Sequence, residues 1–130
     1  MKLITSSGKR KAAIARARLA QGKGNVRINS FLLDTFQPEM LRMKIEEPLL
    51  LAGDSVKNID IVVTVKGGGP SSQADAVRLA IARALVAHNK KLEKIFLSYD
   101  RQLLVADVRR KEVAKPNDSK ARAKRQKSYR

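Results

Sequence analysis

The chain has 130 residues, with 28 Lys or Arg against 12 Asp or Glu, one His and no Cys, for a formal charge of +16. Without cysteine there is no disulfide or thiolate metal site, and a lone histidine builds neither a zinc site nor a histidine-activated nucleophile pair. The surplus sits at the two ends: residues 1–27 and 109–130 each carry a balance of +8, while residues 28–108 hold ten bases and ten acids.

Lys11 to Leu19 alternates, with Ala13, Ala15, Ala17 and Leu19 on one face and Ile14, Arg16 and Arg18 on the other. This predicts a strand with a small-residue core face and a cationic outer face. Gly22-Lys23-Gly24-Asn25 supplies turn chemistry and Val26 to Ile28 resumes the alternation around Arg27, so the expected unit is a β-hairpin of these two strands. Phe31 to Phe36 and Pro38 to Ile45 read as short helices, the second ended by Pro48. Ile59 to Lys66 is a strand with Ile59, Ile61, Val63 and Val65 on one face, and Gly67-Gly68-Gly69 stops it. Pro70 to His88 predicts a helix whose stripe is Val77, Ile81, Ala84, Leu85 and His88 with Ala74 and Ala80 beside it, and whose start is capped by Ser71 and Ser72. A short helix over Lys91 to Leu97 and a short strand or extended connection over Leu103 to Val105 complete the body.

The sum is an α+β fold: a compact two-layer domain, a mostly antiparallel sheet with helices on one face, over residues 1–108. Residues 109–130 are nearly free of large apolar side chains and predict an extended basic tail that does not fold alone. No segment reaches the ~20 apolar residues of a membrane span, and residues 1–7 lack a signal-peptide hydrophobic run. A soluble cytoplasmic protein is expected, with no membrane partner.

Lys9, Arg10, Lys11, Arg16, Arg18, Lys23 and Arg27 cluster without one carboxylate between them in sequence. Such a surface repels itself in the free protein, and phosphates relieve it, so nucleic acid is the expected partner. In the tail, Arg109, Arg110, Lys111, Lys115, Lys120, Arg122, Lys124 and Arg125 extend the same chemistry. An amphipathic membrane tail would need an apolar face, and this one offers little beyond Val113 and Tyr129. The Gly67 to Gly69 turn before a Ser-bearing helix start invites a phosphate-loop reading. It lacks the Gly-Lys-Ser/Thr ending of a P-loop, and its likeness to the Gly/Ser-rich loop of galactokinase-like small-molecule kinases is only local. A tight strand-to-helix turn is the expected role, with no cofactor, no metal, no small-molecule substrate and no catalysis. Glu46 and Glu47 are adjacent before Pro48, which points them apart rather than at one substrate.

Four motifs occur in order: Gly8-Lys9-Arg10-Lys11 leading into Ala13, Ala15 and Arg16; GGGPSSQADAVRLAIARAL from Gly67 to Leu85; Asp107 to Glu112; and Lys127-Ser128-Tyr129-Arg130. Together they resemble the universal small-subunit ribosomal protein number nine, and the Ser-Tyr-Arg ending resembles its archaeal and eukaryotic branch, the short length favouring an archaeal type. The resemblance spans essentially the whole chain. It implies a structural constituent of the small-subunit head that binds small-subunit ribosomal RNA, sits among neighbouring head proteins, and extends its C-terminal arm towards the anticodon stem-loop of the peptidyl-site tRNA. Carried over residue by residue, Lys127, Ser128, Tyr129 and Arg130 match the tRNA-facing arm, while Gly67, Gly68, Gly69 and Gln73 match the family signature, whose role is chiefly structural. The alternative from another class is a free-standing architectural nucleic-acid-binding protein. It fits the charge, yet no helix-turn-helix, zinc or paired-aromatic RNA-binding signature accompanies it.

Overall fold

The computed structural model describes residues 3–33 and 39–106. The expected boundary at residue 108 and the tail beyond it lie outside them. Five strands form one sheet: β1 (Ile4–Arg10), β2 (Ala13–Gln21), β3 (Val26–Ile28), β4 (Phe31–Leu32) and β5 (Ile59–Lys66), in the spatial order β1-β2-β5-β3-β4. All neighbouring pairs are antiparallel except β3 with β5. Helices α1 (Glu39–Ala52), α2 (Pro70–His88) and α3 (Leu92–Tyr99) make the second layer. The α+β, two-layer expectation holds.

Alternation in β2 and β5 decides which face is covered. Ala13, Ala15, Ala17 and Leu19 are buried, as are Ile59, Ile61, Val63 and Val65, and the residues between them point away from the helices. Helix α2 lies across β1 and β2, with Ala74, Ala76, Val77, Leu79, Ala80, Ile81, Ala82, Ala84 and Leu85 buried. The buried face is wider than the predicted stripe because α1 and α3 also pack on this helix. Its closest approach is at Gly8, where an added Cβ would stand 2.4 Å from the Ala76 carbonyl oxygen and 2.8 Å from the Ala80 nitrogen.

Several expectations are corrected. The predicted hairpin of β2 with β3 does not form: β5 inserts between them, and residues 22–25 cross its first residues, with the Gly22 and Gly24 amides donating to the Asn58 and Ile59 carbonyls. The hairpins are β1–β2, turning at Lys11 and Ala12, and β3–β4, turning at Asn29 and Ser30. Phe31 and Leu32 therefore form a strand rather than the start of the expected helix Phe31 to Phe36, whose residues 34–36 lie outside the described ones. Asn29 and Ser30 have φ of +50° and +75°, the region a type I′ turn requires. The Asn29 side chain also replaces a strand residue beside β5, donating to the Val65 carbonyl at 3.2 Å and accepting from the Val65 amide at 2.9 Å.

Pro48 does not end α1, which runs on to Ala52. A mid-helix proline costs ~3 kcal/mol, but Ile45, Pro48 and Ala52 are the buried residues of this helix, so burial of that face offsets the lost hydrogen bond. Ser71 and Ser72 do not cap α2; Gly69 is the N-cap, with Pro70 just inside and no side-chain cap. Over Leu103 to Val105, expected as a short strand or an extended connection, the chain forms neither: Leu103 ends a 3-10 turn (Arg101–Leu103) and is fully buried, and the Leu104 and Val105 amides both turn back to the Arg101 carbonyl.

Gly8→Ala is expected to destabilise the fold by about 1–3 kcal/mol, because backbone atoms of α2 must retreat from the new methyl. Gly69→Ala, whose Cβ meets nothing within 4 Å, should cost less than about 1 kcal/mol. Urea unfolding of the two variants beside the parent checks the contrast.

Candidate nucleic-acid interface

The strand register places the cations on the uncovered sheet face in rows. Lys9 pairs with Ile14, and Ile14 with Lys66; Ser7 pairs with Arg16, and Arg16 with Thr64; Thr5 pairs with Arg18, Arg18 with Val62, and Val62 with Arg27. Lys9, Arg16, Arg18, Arg27 and Lys66 are all exposed. Among the described residues none of the five forms an ion pair within 4 Å.

Apart from Asp60, the acids stand elsewhere. Asp75 is reached by Arg10 at 3.6 Å and Lys44 at 3.7 Å, Arg42 is held by Glu39 and Glu46, and Arg78 joins Glu47 and Asp100, all on the helix side. Arg10 is thus parted from the rest of the predicted cluster. It follows Lys9 by one residue and so faces the opposite layer, half-buried against α2. The cleft of about 700 Å³ between β1 and the helices is lined by Arg10, Lys44, Glu47, Asp75, Arg78 and Asp100, which pair with one another, and is bordered also by Lys9, which does not join those pairs.

Lys11 sits at the β1–β2 turn with φ of +53° and its side chain exposed. Lys23 is exposed in the 22–25 loop, whose shape depends on Asp60. The Asp60 carboxylate accepts from the Lys23 amide at 2.9 Å and the Asn25 amide at 3.0 Å. Those two backbone bonds, Asn25 first and then Lys23, hold its pKa below the ordinary aspartate value against some desolvation, with smaller help from the Gly24 amide and the charge of Arg27. Asp60 is the acid that the register puts on the cationic face, and it is occupied in shaping the loop beside Arg27.

The Gly67–Gly69 turn joins this face to α2. Gly67 and Gly68 have φ of +79° and +66°, and a Cβ on Gly67 would stand 2.5 Å from the Ala12 carbonyl oxygen. Gln73 Nε2 donates to the Gly67 carbonyl at 3.1 Å, closing the turn from inside the first helical turn. The tip of the β1–β2 hairpin therefore rests on the glycines, which is a structural use of the signature. Among the described residues no group of His, Cys, Asp or Glu is arranged to hold a metal ion, and no helix is long and apolar enough to cross a membrane.

The model of the family described as ribosomal protein S9/S16 matches residues 8–130, from the glycine under α2 to the last arginine. The chain belongs to this family. Curated relatives called small ribosomal subunit protein uS9 align over their whole length and the whole of this chain. Those from Methanococcus maripaludis and Methanococcus vannielii are 50% and 48% identical over 134 residues, and that of Methanothrix thermoacetophila 47% over 132. The archaeal-type resemblance is borne out.

Within the family frame, the structure brings Lys9, Arg16, Arg18 and Arg27 onto one face and puts Lys11 and Lys23 at its two ends. The sequence reading missed Lys66. Its signal was available, since inward Ile59, Ile61, Val63 and Val65 leave position 66 on the outward side with Arg16 and Arg18. Arg109, Arg110, Lys111, Lys115, Lys120, Arg122, Lys124, Arg125, Lys127, Ser128, Tyr129 and Arg130 lie outside the described residues.

Asp60→Asn is expected to speed amide hydrogen exchange at Lys23 and Asn25 while leaving β2 and β5 protected. The parent should show the same local loosening on the acid side of the ordinary carboxylate range. A carboxylate whose folded pKa is depressed contributes above its unfolded value, and that contribution fades as pH falls through the folded one.

Proposed function

We propose that this chain is a structural constituent of the small ribosomal subunit head, in the cytoplasm, that binds small-subunit ribosomal RNA through its open sheet face and its basic tail. The observation that supports this most directly is the group of exposed cations on that face, Lys9, Arg16, Arg18, Arg27 and Lys66, lacking carboxylate partners among the described residues, whereas Arg10, Arg42, Lys44 and Arg78 on the helix side are paired. Names carried by the full-length relatives point to the same subunit.

The work is binding without chemistry. Phosphates brought close by folded RNA repel one another, and cations on a rigid sheet neutralise them at fixed spacing, with entropy returned as counterions are released. Arg16 and Arg18 contribute forked, charge-assisted hydrogen bonds, which a lysine would supply only as point charge. Lys11 and Lys23 extend the contact at the turns. In the tail, Arg109 to Arg125 continue along ribosomal RNA, and Lys127, Ser128, Tyr129 and Arg130 approach the anticodon stem-loop of the peptidyl-site tRNA. Contacts of this kind are made largely to phosphate, so they tolerate different tRNA sequences. Neighbouring head proteins cover part of the remaining surface.

Replacing Arg16 and Arg18 together by Glu should impair incorporation into the subunit, and should flatten the dependence of log affinity for ribosomal RNA on log salt by roughly two. Normal incorporation of that double variant would remove the sheet face from the binding surface. Deleting Ser128 to Arg130 should leave assembly intact and modestly weaken peptidyl-site tRNA occupancy, measured by filter binding to reconstituted subunits. Failed assembly of the truncated chain would make the arm a staple of ribosomal RNA instead.

A further inference from the structure

The pattern of the open face specifies what form of RNA it takes. Counting from the register, Lys9 and Lys66 lie in one row and Arg18 and Arg27 in another, the two rows four residues apart along the strands, or about 13 Å. Within each row the two cations stand two strands apart, about 10 Å. The row between them consists of Ser7, Arg16 and Thr64, a guanidinium flanked by two hydroxyls. All of these side chains are exposed.

Among the described residues no aromatic side chain belongs to this face. Phe31 pairs with the buried Ile28 and so sits on the helix side of the sheet edge, and Phe96 and Tyr99 belong to α3. Recognition of unstacked single strands relies chiefly on aromatic platforms for the bases, and this face offers only the guanidinium planes of Arg16, Arg18 and Arg27. Two cationic rows with a hydroxyl-bearing row between them instead match two phosphate strands bordering a groove lined with donors and acceptors. The wide, shallow minor groove of A-form RNA displays 2′-hydroxyls between its phosphate rows.

On the reading that this face meets ribosomal RNA, we infer that its ligand is the minor-groove side of a double-helical segment. Lys9 and Lys66 hold one phosphate strand, Arg18 and Arg27 hold the other, and Ser7, Arg16 and Thr64 face the 2′-hydroxyls. Recognition is then by shape and sugar rather than by base sequence.

The absence of cysteine from the chain makes a site-directed probe unique. Thr5→Cys and Ala12→Cys, exposed at the margin of the face and outside the contacts assigned to it, each carrying a tethered iron chelate that releases hydroxyl radicals, are incorporated as the full chain into small subunits. Neither side chain makes a hydrogen bond to a described residue. The expected result is cleavage from each probe in two stretches on complementary strands of one RNA helix, displaced to the 3′ side on both, as a source in the minor groove produces. One continuous stretch confined to unpaired nucleotides would overturn the helical ligand and leave the ribosomal RNA reading standing. Cleavage from a reference probe at Ser98→Cys, exposed on α3, with none from either sheet-face probe, would overturn both.

Discussion

The close seating of α2 on β1 and β2 is the contact from which the rest of the architecture follows. Gly8 on β1 and Ala13, Ala15 and Ala17 on β2 meet Ala74, Ala76 and Ala80 on the helix, and side chains this small let backbones approach at distances that larger ones forbid. The contact gains dispersion from many atoms packed at interior density, where a single extra methylene is felt. Arg83 then ties the layers at the middle of β1, donating to the Ser7 and Leu104 carbonyls. The Gly67–Gly68 turn, against Ala12 and Ala13, fixes the hairpin end. Held at these two places, β1 and β2 form a plate, and whatever their outward side chains carry is presented at fixed spacing.

That plate also sorts charge by sign. Lys9 and Arg10 are neighbours in sequence, yet the pleat sends Lys9 outward among unpaired cations and Arg10 inward to Asp75. The helix layer keeps most of the carboxylates and sets them against its own bases, in partly exposed ion pairs that are individually worth little. Their larger effect is on the field: Arg10, Arg42, Lys44 and Arg78 are offset where they stand, while the open sheet face, with Asp60 as its acid, keeps its positive potential.

Legibility in the sequence followed how local the deciding interaction is. The limits of β5 and α2 were readable to the residue, because strict alternation in Ile59 to Lys66 and the Gly-Pro boundary before a long alanine-rich repeat leave no competing period. The inward and outward faces of β2 were readable for the same reason. Strand β1 was not, since Ile4, Ser6, Gly8 and Arg10 form its inward side and show no apolar alternation; it is a strand because β2 pairs with it. The β3–β4 hairpin was hidden by its Asn-Ser turn, in which the Asn29 amide bonds to β5, a partner 36 residues away. The outward cations of β2 were visible, but their company was not: Arg10 read as one of them until Asp75 claimed it, and Lys66 joins them only through strand pairing.

The interface is therefore a product of topology more than of any one segment. Had β3 paired directly with β2 around the 22–25 turn, as the loop chemistry between them suggests, Ala20 would face Arg27 and Arg18 would stand diagonally from it, about 7–8 Å away. Insertion of β5 sets the two about 10 Å apart and brings Lys66 into one row with Lys9. In water two unit charges at ~10 Å repel by roughly 0.4 kcal/mol before screening. Five such cations cost the free protein on the order of a kilocalorie or two, less than one well-packed core side chain returns. The fold can thus hold its cations apart unaided, and a polyanion that fills the face removes the repulsion and stabilises the sheet by mass action. Spacing set by a remote strand, rather than charge density along one strand, is what makes a folded sheet a better match for two phosphate rows than an unfolded chain of the same composition.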